Sequence, residues 1–485
     1  MCLSEVCMNY RMITHVLGWI LLFEAAFLLV PMATAIIFGE TRSLIAFLIS
    51  IGICLVIGLF MKAKRPKDRS LLARDGFVIV ALSWIFLSFF GCFPFLISGV
   101  TNSFFDAFFE TVSGFTTTGA TIFSDVEVLP NSIIIWRSFT HWLGGMGVLV
   151  FIMAILPLSG AHNMYIMKAE SPGPEVSKLV PRVRTTAIWL YSSYIVLTVI
   201  LFIILLVGKM SVFEAINISF STAGTGGFGF KNDSLASYSP FIQTAVSIFM
   251  LIFSINFGSY FLIFRRKFKA ALTAEVKTFI VLVAVATICI SFNIRDMFGS
   301  IGETVRHAFF TVSSIISTTG FSTVDFDLWP EFSKTIIVLV MLVGACAGST
   351  GGGIKVSRVI IIFKVMIREL TTALRPKQVK KITIDGQIQD IGVVKAVYGY
   401  IFCYIAVFVG SILLVSLDGA DLVTNFTSVA TTIGNVGPGL SKVGPIMNYG
   451  FFSPLSKLVL SFDMLAGRLE FYPMLLLLVP STWKK

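Results

Sequence analysis

Apolar residues in this chain fall into blocks longer than the alternation of a half-buried strand or the stripe of a surface helix would produce. Ten blocks, at 13–35, 43–61, 75–98, 132–158, 188–207, 241–264, 278–292, 333–366, 393–417 and 454–480, are read as crossings of a hydrocarbon core about 30 Å thick, which takes about 20 apolar residues. The first is too long, and lacks the small-residue cleavage site, for a removable signal, so it is expected to stay as a span. Between later blocks lie shorter ones. The apolar stretch 102–115 gives about 21 Å of helix at about 1.5 Å per residue, too little to cross. Segments 211–227, 301–321 and 422–437 occupy the same place in the later parts of the chain. Each is expected to enter and leave on one side.

The short segments share a polar ending. With Gly119 set against Gly224, Gly320 and Gly434, the preceding residues are Thr116-Thr117-Thr118, Ser221-Thr222-Ala223, Ser317-Thr318-Thr319 and Thr431-Thr432-Ile433. Each copy therefore reads Ser/Thr-Thr-x-Gly, and the first and third also share Ala-Phe-Phe at 107–109 and 308–310. One such motif says little, but four at the spacing of a two-helix unit are an internal repeat. The expected fold is an all-α polytopic membrane protein with four pseudo-symmetric helix–pore loop–helix units around a central pore. An N-terminal helix pair (1–70) would precede units at 71–185, 186–270, 271–385 and 386–485, the third with a broken gating helix.

Composition agrees, with 56% hydrophobic residues, 13% charged and a mean hydropathy of +0.90, where soluble domains have about 25% charged. A net charge of +11 would suit nucleic acid, but the basic residues sit in short segments between the blocks. They cluster at Lys62–Arg74, then at Lys168, Lys178, Arg182 and Arg184, at Arg265–Lys269, at Arg368–Lys381 and at Lys484–Lys485. That is the positive-inside pattern, and it places both termini in the cytoplasm with no nucleic-acid partner. The seven cysteines show no disulfide or zinc spacing, and Cys54, Cys92, Cys289, Cys346 and Cys403 lie inside apolar runs as core residues. His15, His141, His162 and His307 sit on separate segments, and no catalytic constellation or prosthetic-group site is evident, so an enzyme is not expected.

A Ser/Thr-Thr-x-Gly turn at membrane depth needs partners for its backbone, because irregular chain is tolerated there only when buried in protein or lining water. Four such turns around an axis would form a ring of carbonyls able to replace an ion's hydration shell. Glycine supplies the backbone freedom this needs, and the hydroxyls of Thr117, Thr222, Thr318 and Thr432 would add oxygens beneath. For any single copy the alternative is close helix packing through small residues. Within 333–366, the run Gly344 to Gly353 (GACAGSTGGG) puts five glycines in ten residues and is expected to break the helix, as a gate below the third turn or as a small-residue packing face. Arg468 lies mid-span, either facing a cavity or paired with Glu470. Asp125, Glu127, Asp233, Asp325, Asp327 and Glu331 follow the repeat glycines, as an acidic outer mouth or as plain solvated charges. Residues Gly224–Gly229 formally match a dinucleotide-binding G-x-G-x-x-G but have no strand before them, and Gly348–Lys355 faintly match a phosphate loop, but Ile354 separates the last glycine from Lys355 and the Gly-Lys-Ser/Thr ending is absent.

The four turns, the segment from Trp136 to Gly147 (WRSFTHWLGGMG), Gly348 to Lys355 (GSTGGGIK) and Gly467-Arg468-Leu469-Glu470 together resemble the Trk/Ktr/HKT superfamily of potassium transporters. The extra N-terminal pair is similar to the membrane subunit of bacterial Trk systems rather than to Ktr. The resemblance implies potassium as the transported ion, the bacterial inner membrane, a homodimer, and a cytosolic nucleotide-binding regulatory subunit of the TrkA kind. It implies a metal-ion filter at Thr117, Thr118, Gly119, Thr222, Ala223, Gly224, Thr318, Thr319, Gly320, Thr432, Ile433 and Gly434. It implies a gate at Gly344, Gly348, Ser349, Thr350, Gly351, Gly352, Gly353 and Lys355, with Arg468 projecting beneath the filter. The basic segment Arg375–Lys381 is a candidate grip for the partner, and ion-coupled symport with a proton or sodium ion stands as the alternative mechanism.

Overall fold

The computed structural model describes residues 8–63, 72–147, 183–376 and 381–483. Residues 148–158 of the fourth expected span, the basic residues Lys64 to Arg69, Lys168, Lys178, Arg182, Lys377, Lys380, Lys484 and Lys485, and also His162, lie outside them.

The N-terminal pair is Tyr10–Phe27 with its continuation Leu29–Ile37, and Thr41–Ala63 running back against it. Their crossing is close because two glycines face each other: a Cβ on Gly18 would lie 2.8 Å from the Gly58 carbonyl oxygen. Small residues let helices approach where lipid gives no hydrophobic drive to associate.

Four units of one plan follow. Each has a first helix: Ala73–Gly91, Val183–Val207, Ala274–Asn293 and Ile391–Val415. Each then has a short helix: Phe104–Phe115, Val212–Ala223, Ile301–Ile316 and Leu422–Gly434. These start on Ser103, Ser211, Ser300 and Asp421, whose side-chain oxygens accept from the amides of Asp106, Glu214, Glu303 and Thr424. Such a cap is worth about 1 kcal/mol and fixes where the chain re-enters. The short helices are buried along most of their length, down to Ser113, Ser221, Ser313 and Ser428 at 0% exposure. Helices of 12 to 16 residues cannot cross a bilayer, and protein surrounds them instead.

The returning helices differ from expectation. A break was expected in the third alone, yet the third is not the exception. They run Asn131–Gly145, Pro240–Ser254, Glu331–Val343 and Pro454–Arg468, 13 to 15 residues each. The second turns through 92° at Ile255 and Asn256 before Phe257–Phe264. The third resumes at Val356–Leu374 and the fourth at Tyr472–Leu478, after left-handed Glu470 and Phe471. Among the described residues, six helices are long and apolar enough to cross alone, and the bent pair makes a seventh. The third and fourth returning crossings are assembled from shorter pieces, and the first is described only as far as residue 147.

Candidate ion pathway

The four turns adopt one backbone conformation. In each, an amide bonds three residues back and the next amide bonds five back: Thr117 to Gly114 and Thr118 to Ser113, Thr225 to Thr222 and Gly226 to Ser221, Thr318 to Ile315 and Thr319 to Ser314, Asn435 to Thr432 and Val436 to Thr431. Two residues per turn have positive φ: Thr117 (56°) and Gly119 (80°), Thr225 (53°) and Gly227 (77°), Thr318 (58°) and Gly320 (87°), Asn435 (53°) and Gly437 (94°). Three of the four first positions hold threonine, a β-branched residue for which positive φ is a genuine outlier, and such strain concentrates at functional sites.

This pattern corrects the register of two copies. The counterparts of Gly119 and Gly320 are Gly227 and Gly437, three residues beyond Gly224 and Gly434. Thr222, Ala223, Thr432, Ile433 and Gly434 lie within the short helices, and Gly224 caps its helix with φ −69°. The hydroxyls of Thr222 and Thr432 donate to carbonyls of their own helices, Ile218 and Ser428, instead of adding oxygens beneath a ring. Sequence reading missed Thr225, Gly226, Gly227, Asn435, Val436 and Gly437. The signal was the last glycine of each run, preceded two residues earlier by Thr or Asn.

The turns close on one another. A Cβ built on Gly119 would lie 2.0 Å from the Gly226 carbonyl oxygen, on Gly227 2.0 Å from that of Thr319, on Gly320 2.3 Å from that of Val436, and on Gly437 2.6 Å from that of Thr118. Each glycine thus abuts the carbonyl just before the corresponding glycine of the next unit, in the order one, two, three, four and back to one. Above this ring a cavity of about 100 Å³ is lined by Gly119, Gly227, Gly320 and Gly437 together. The short helices end at the ring, and a helix C-terminus carries about half a negative charge.

The outer loops are stitched in the same order. Asn232 donates to Asp125 at 2.7 Å and its amide to Glu127 at 3.0 Å, joining units one and two. The Leu235 amide donates to the Ser322 carbonyl at 3.0 Å, the Ser441 amide to Asp327 at 3.1 Å, and the Tyr449 amide to the Thr121 carbonyl at 2.8 Å. Asp125, Glu127 and Asp327 therefore act as acceptors between units. The Asn232 amide beside Asp125 holds its carboxyl below the usual aspartate value of 3.8. Behind the first turn a buried pair, Arg137 to Glu110 at 2.8 Å, anchors the chain as it leaves the ring: Glu110 also accepts from the Ile122 amide at 2.9 Å.

On the other side of the ring, a cavity of about 70 Å³ is bounded by Gly145, Gly351, Gly352, Lys355, Gly467 and Arg468, among others. The run Gly344–Gly353 is non-helical, with positive φ at Gly344, Gly348 and Gly353, and at Lys355 beyond it. It presses against the ends of the short helices: a Cβ on Gly351 would lie 2.8 Å from the Ser317 carbonyl oxygen, and one on Gly352 2.4 Å from that of Gly434. The Gly352 amide donates to the Thr318 hydroxyl at 2.7 Å, which joins this loop directly to the third turn. Ser349 donates to the Cys346 carbonyl at 2.6 Å, and the Thr350 hydroxyl to the Phe253 carbonyl at 3.1 Å. Lys355 donates to the Gly351 carbonyl at 2.5 Å. Arg468 donates to the carbonyls of Thr350 at 2.6 Å, Gly144 at 2.5 Å and Gly145 at 2.8 Å, linking the fourth unit to the loop and to the first unit. The charge partner of Glu470 is Arg358. The structure thus brings together the loop residues and Arg468, and of the two readings of Arg468 the pairing with Glu470 is not the one it makes.

Residues 43–485 match the profile of the TrkH family, described as a cation transport protein. The chain is 36% identical over 488 residues to the Trk system potassium uptake protein TrkH of Escherichia coli (strain K12), covering 99% of this chain and 100% of that one. It is 35% identical over 485 residues to the TrkH of Halomonas elongata, covering 99% and 100%. The crystal structure of the potassium transporter TrkH from Vibrio parahaemolyticus superposes with a TM-score of 0.89 at 32% identity, covering 98% of this chain and 100% of that one. With the family profile spanning nearly the whole chain and the fold reproduced throughout, this chain belongs to the TrkH family of cation transport proteins.

Proposed function

We propose that this chain takes up potassium across the bacterial cytoplasmic membrane through a selective, gated, channel-like pore. The closed ring of four glycines and four preceding carbonyls carries the reading: backbone oxygens held around one axis replace the hydration shell of a bare monovalent cation. The relatives' names, Trk system potassium uptake proteins, support the choice of ion. The filter is then Thr117–Gly119, Thr225–Gly227, Thr318–Gly320 and Asn435–Gly437. The loop from Gly344 to Gly353 and Arg468 form a barrier beneath it. In this reading the protein works as a homodimer in lipid, opened by a cytosolic nucleotide-binding regulatory subunit of the TrkA kind, and no prosthetic group takes part.

Purified protein in planar bilayers tests this. Unitary potassium currents that persist without a proton or sodium gradient support conduction. Uptake strictly tied to such a gradient, with no unitary current, overturns it in favour of coupled symport.

A further inference from the structure

The run from Gly344 to Gly353 takes its positive-φ turns at glycines and ends beside a strained residue. Lys355, just past it, is a side-chain-bearing residue at φ 80°, and its local hydrogen bonds include long ones, such as Ala345 to the Gly352 carbonyl at 3.3 Å. Strained backbone persists when its surroundings over-determine it. One side chain does this from outside the loop. Glu275, the second residue of the helix Ala274–Asn293, accepts at a single oxygen, Oε1, from the Ala347 amide at 2.7 Å and the Ser357 amide at 3.1 Å. Those amides flank the stretch Gly348–Val356, so one carboxylate draws its two ends together. Hydrogen bonds to a charged acceptor are roughly twice as strong as neutral ones.

The start of that helix is held in turn by a small hairpin absent from the sequence expectations. Strands Thr383–Ile384 and Gln387–Ile388 pair across Asp385-Gly386, with φ 49° and 75°, the geometry Asp-Gly favours in a two-residue turn. Asp385 at its tip accepts from the Ala274 amide at 2.8 Å, next to Glu275. Ile382 packs in a cluster with Ile361 and Val365, on the helix that follows the loop.

We propose that Glu275 is a positioning residue that holds the gating loop closed, and that the hairpin at 383–388 keeps Glu275 in place. This rests on the loop being the gate. Displacing the hairpin removes the acceptor from the Ala274 amide, loosens the first turn that carries Glu275, and so releases both ends of the loop.

Cys346, buried within the loop, reports its release independently of transport. In full-length protein reconstituted in vesicles, the rate of Cys346 modification by N-ethylmaleimide is read by peptide mass spectrometry, and rubidium uptake is measured on the same preparation. Glu275→Ala should raise Cys346 modification about tenfold or more, since two hydrogen bonds to a charged group are lost and one alone accounts for about tenfold. Uptake should rise with it. Glu275→Gln, which keeps an acceptor oxygen but not its charge, should fall between wild type and Glu275→Ala in both. Asp385→Ala should shift both in the same direction by less, and should add nothing in the Glu275→Ala background. Faster modification with unchanged uptake supports the clasp and overturns the gate reading. Unchanged modification in Glu275→Ala overturns the clasp; should that variant not fold, unchanged modification in Asp385→Ala does so.

Discussion

Gly437 and Gly434 lie three residues apart in the fourth turn and separate the structural register from the motif register. An alanine at Gly437 meets two penalties. Its φ of 94° is one that side-chain-bearing residues rarely adopt, and its Cβ would stand 2.6 Å from the Thr118 carbonyl oxygen, a contact real Cβ atoms do not make. Sparsely populated backbone costs about 1–3 kcal/mol, and relief comes by moving the Thr118 carbonyl out of the ring. If that cost falls on the ion-occupied ring, the preference for rubidium over sodium drops about 5- to 150-fold, at about 1.4 kcal/mol per decade. At Gly434 the nearest atoms to a new Cβ are a Val436 methyl at 3.2 Å and the Met341 carbonyl oxygen at 3.7 Å, and the backbone is helical. Alanine there should be tolerated and should favour the helix by about 0.5–1 kcal/mol. The assay is paired rubidium and sodium uptake in vesicles, with size-exclusion profiles of each variant. Retained preference in Gly437→Ala, or equal loss in Gly434→Ala, would refute the assignment of the ring.

Arg468→Ala should raise potassium flux and weaken its dependence on a cytosolic partner while selectivity holds: at about 4 Å the guanidinium opposes a cation by about 4 kcal/mol at an effective dielectric of 20. A monodisperse variant with unchanged or lower flux would count against this. Arg137→Met leaves Glu110 buried without its charge partner, a loss of about 3–5 kcal/mol that thermal unfolding in detergent should show, and a midpoint equal to wild type would contradict it. Thr318→Val removes the acceptor of the buried Gly352 amide and should increase leak at a stability loss of about 1–3 kcal/mol; vesicle uptake without partner reads the leak, and unchanged uptake would contradict it. The stitch between units one and two should survive mild acid. Asp125 is held below 3.8, so its contribution is present above that value and is lost only as pH falls through its lower folded value. Loosening of the outer loops already at pH 5, seen by hydrogen exchange, would be inconsistent with it.

The helical units and the short re-entrant segments were legible because apolar run length against bilayer thickness depends on little else. In the turns, matching Ser/Thr-Thr-x-Gly worked in copies one and three, where Thr116 and Ser317 follow the helix. It slipped in copies two and four, where Ser221-Thr222-Ala223-Gly224 and Thr431-Thr432-Ile433-Gly434 carry the same letters inside the helix. Which glycine takes positive φ is decided by where the helix ends, and small polar residues do not mark that point. The break at Gly344 could be read from five glycines, whereas those at Ile255-Asn256 and Leu469-Phe471 have no comparable composition and are tied to segments distant in sequence: the Phe257 amide donates to the Gly348 carbonyl, Glu470 pairs with Arg358, and Phe471 packs on Tyr400 and Tyr404. Arg468 stood out as a lone charge, but its acceptors, the carbonyls of Thr350, Gly144 and Gly145, come from two other units that no local pattern connects to it.

Because all four quarters belong to one polypeptide, they are free to diverge. A ring of four identical chains would have to place any obstructing loop four times over, and four copies of Gly344–Gly353 would collide beneath it. Here a single quarter carries the loop, another supplies Arg468 to tie it down, and a third offers Gly144 and Gly145 as the far anchor. The four turns nonetheless keep one backbone conformation, with the same hydrogen bonds and the same two positive-φ positions in each.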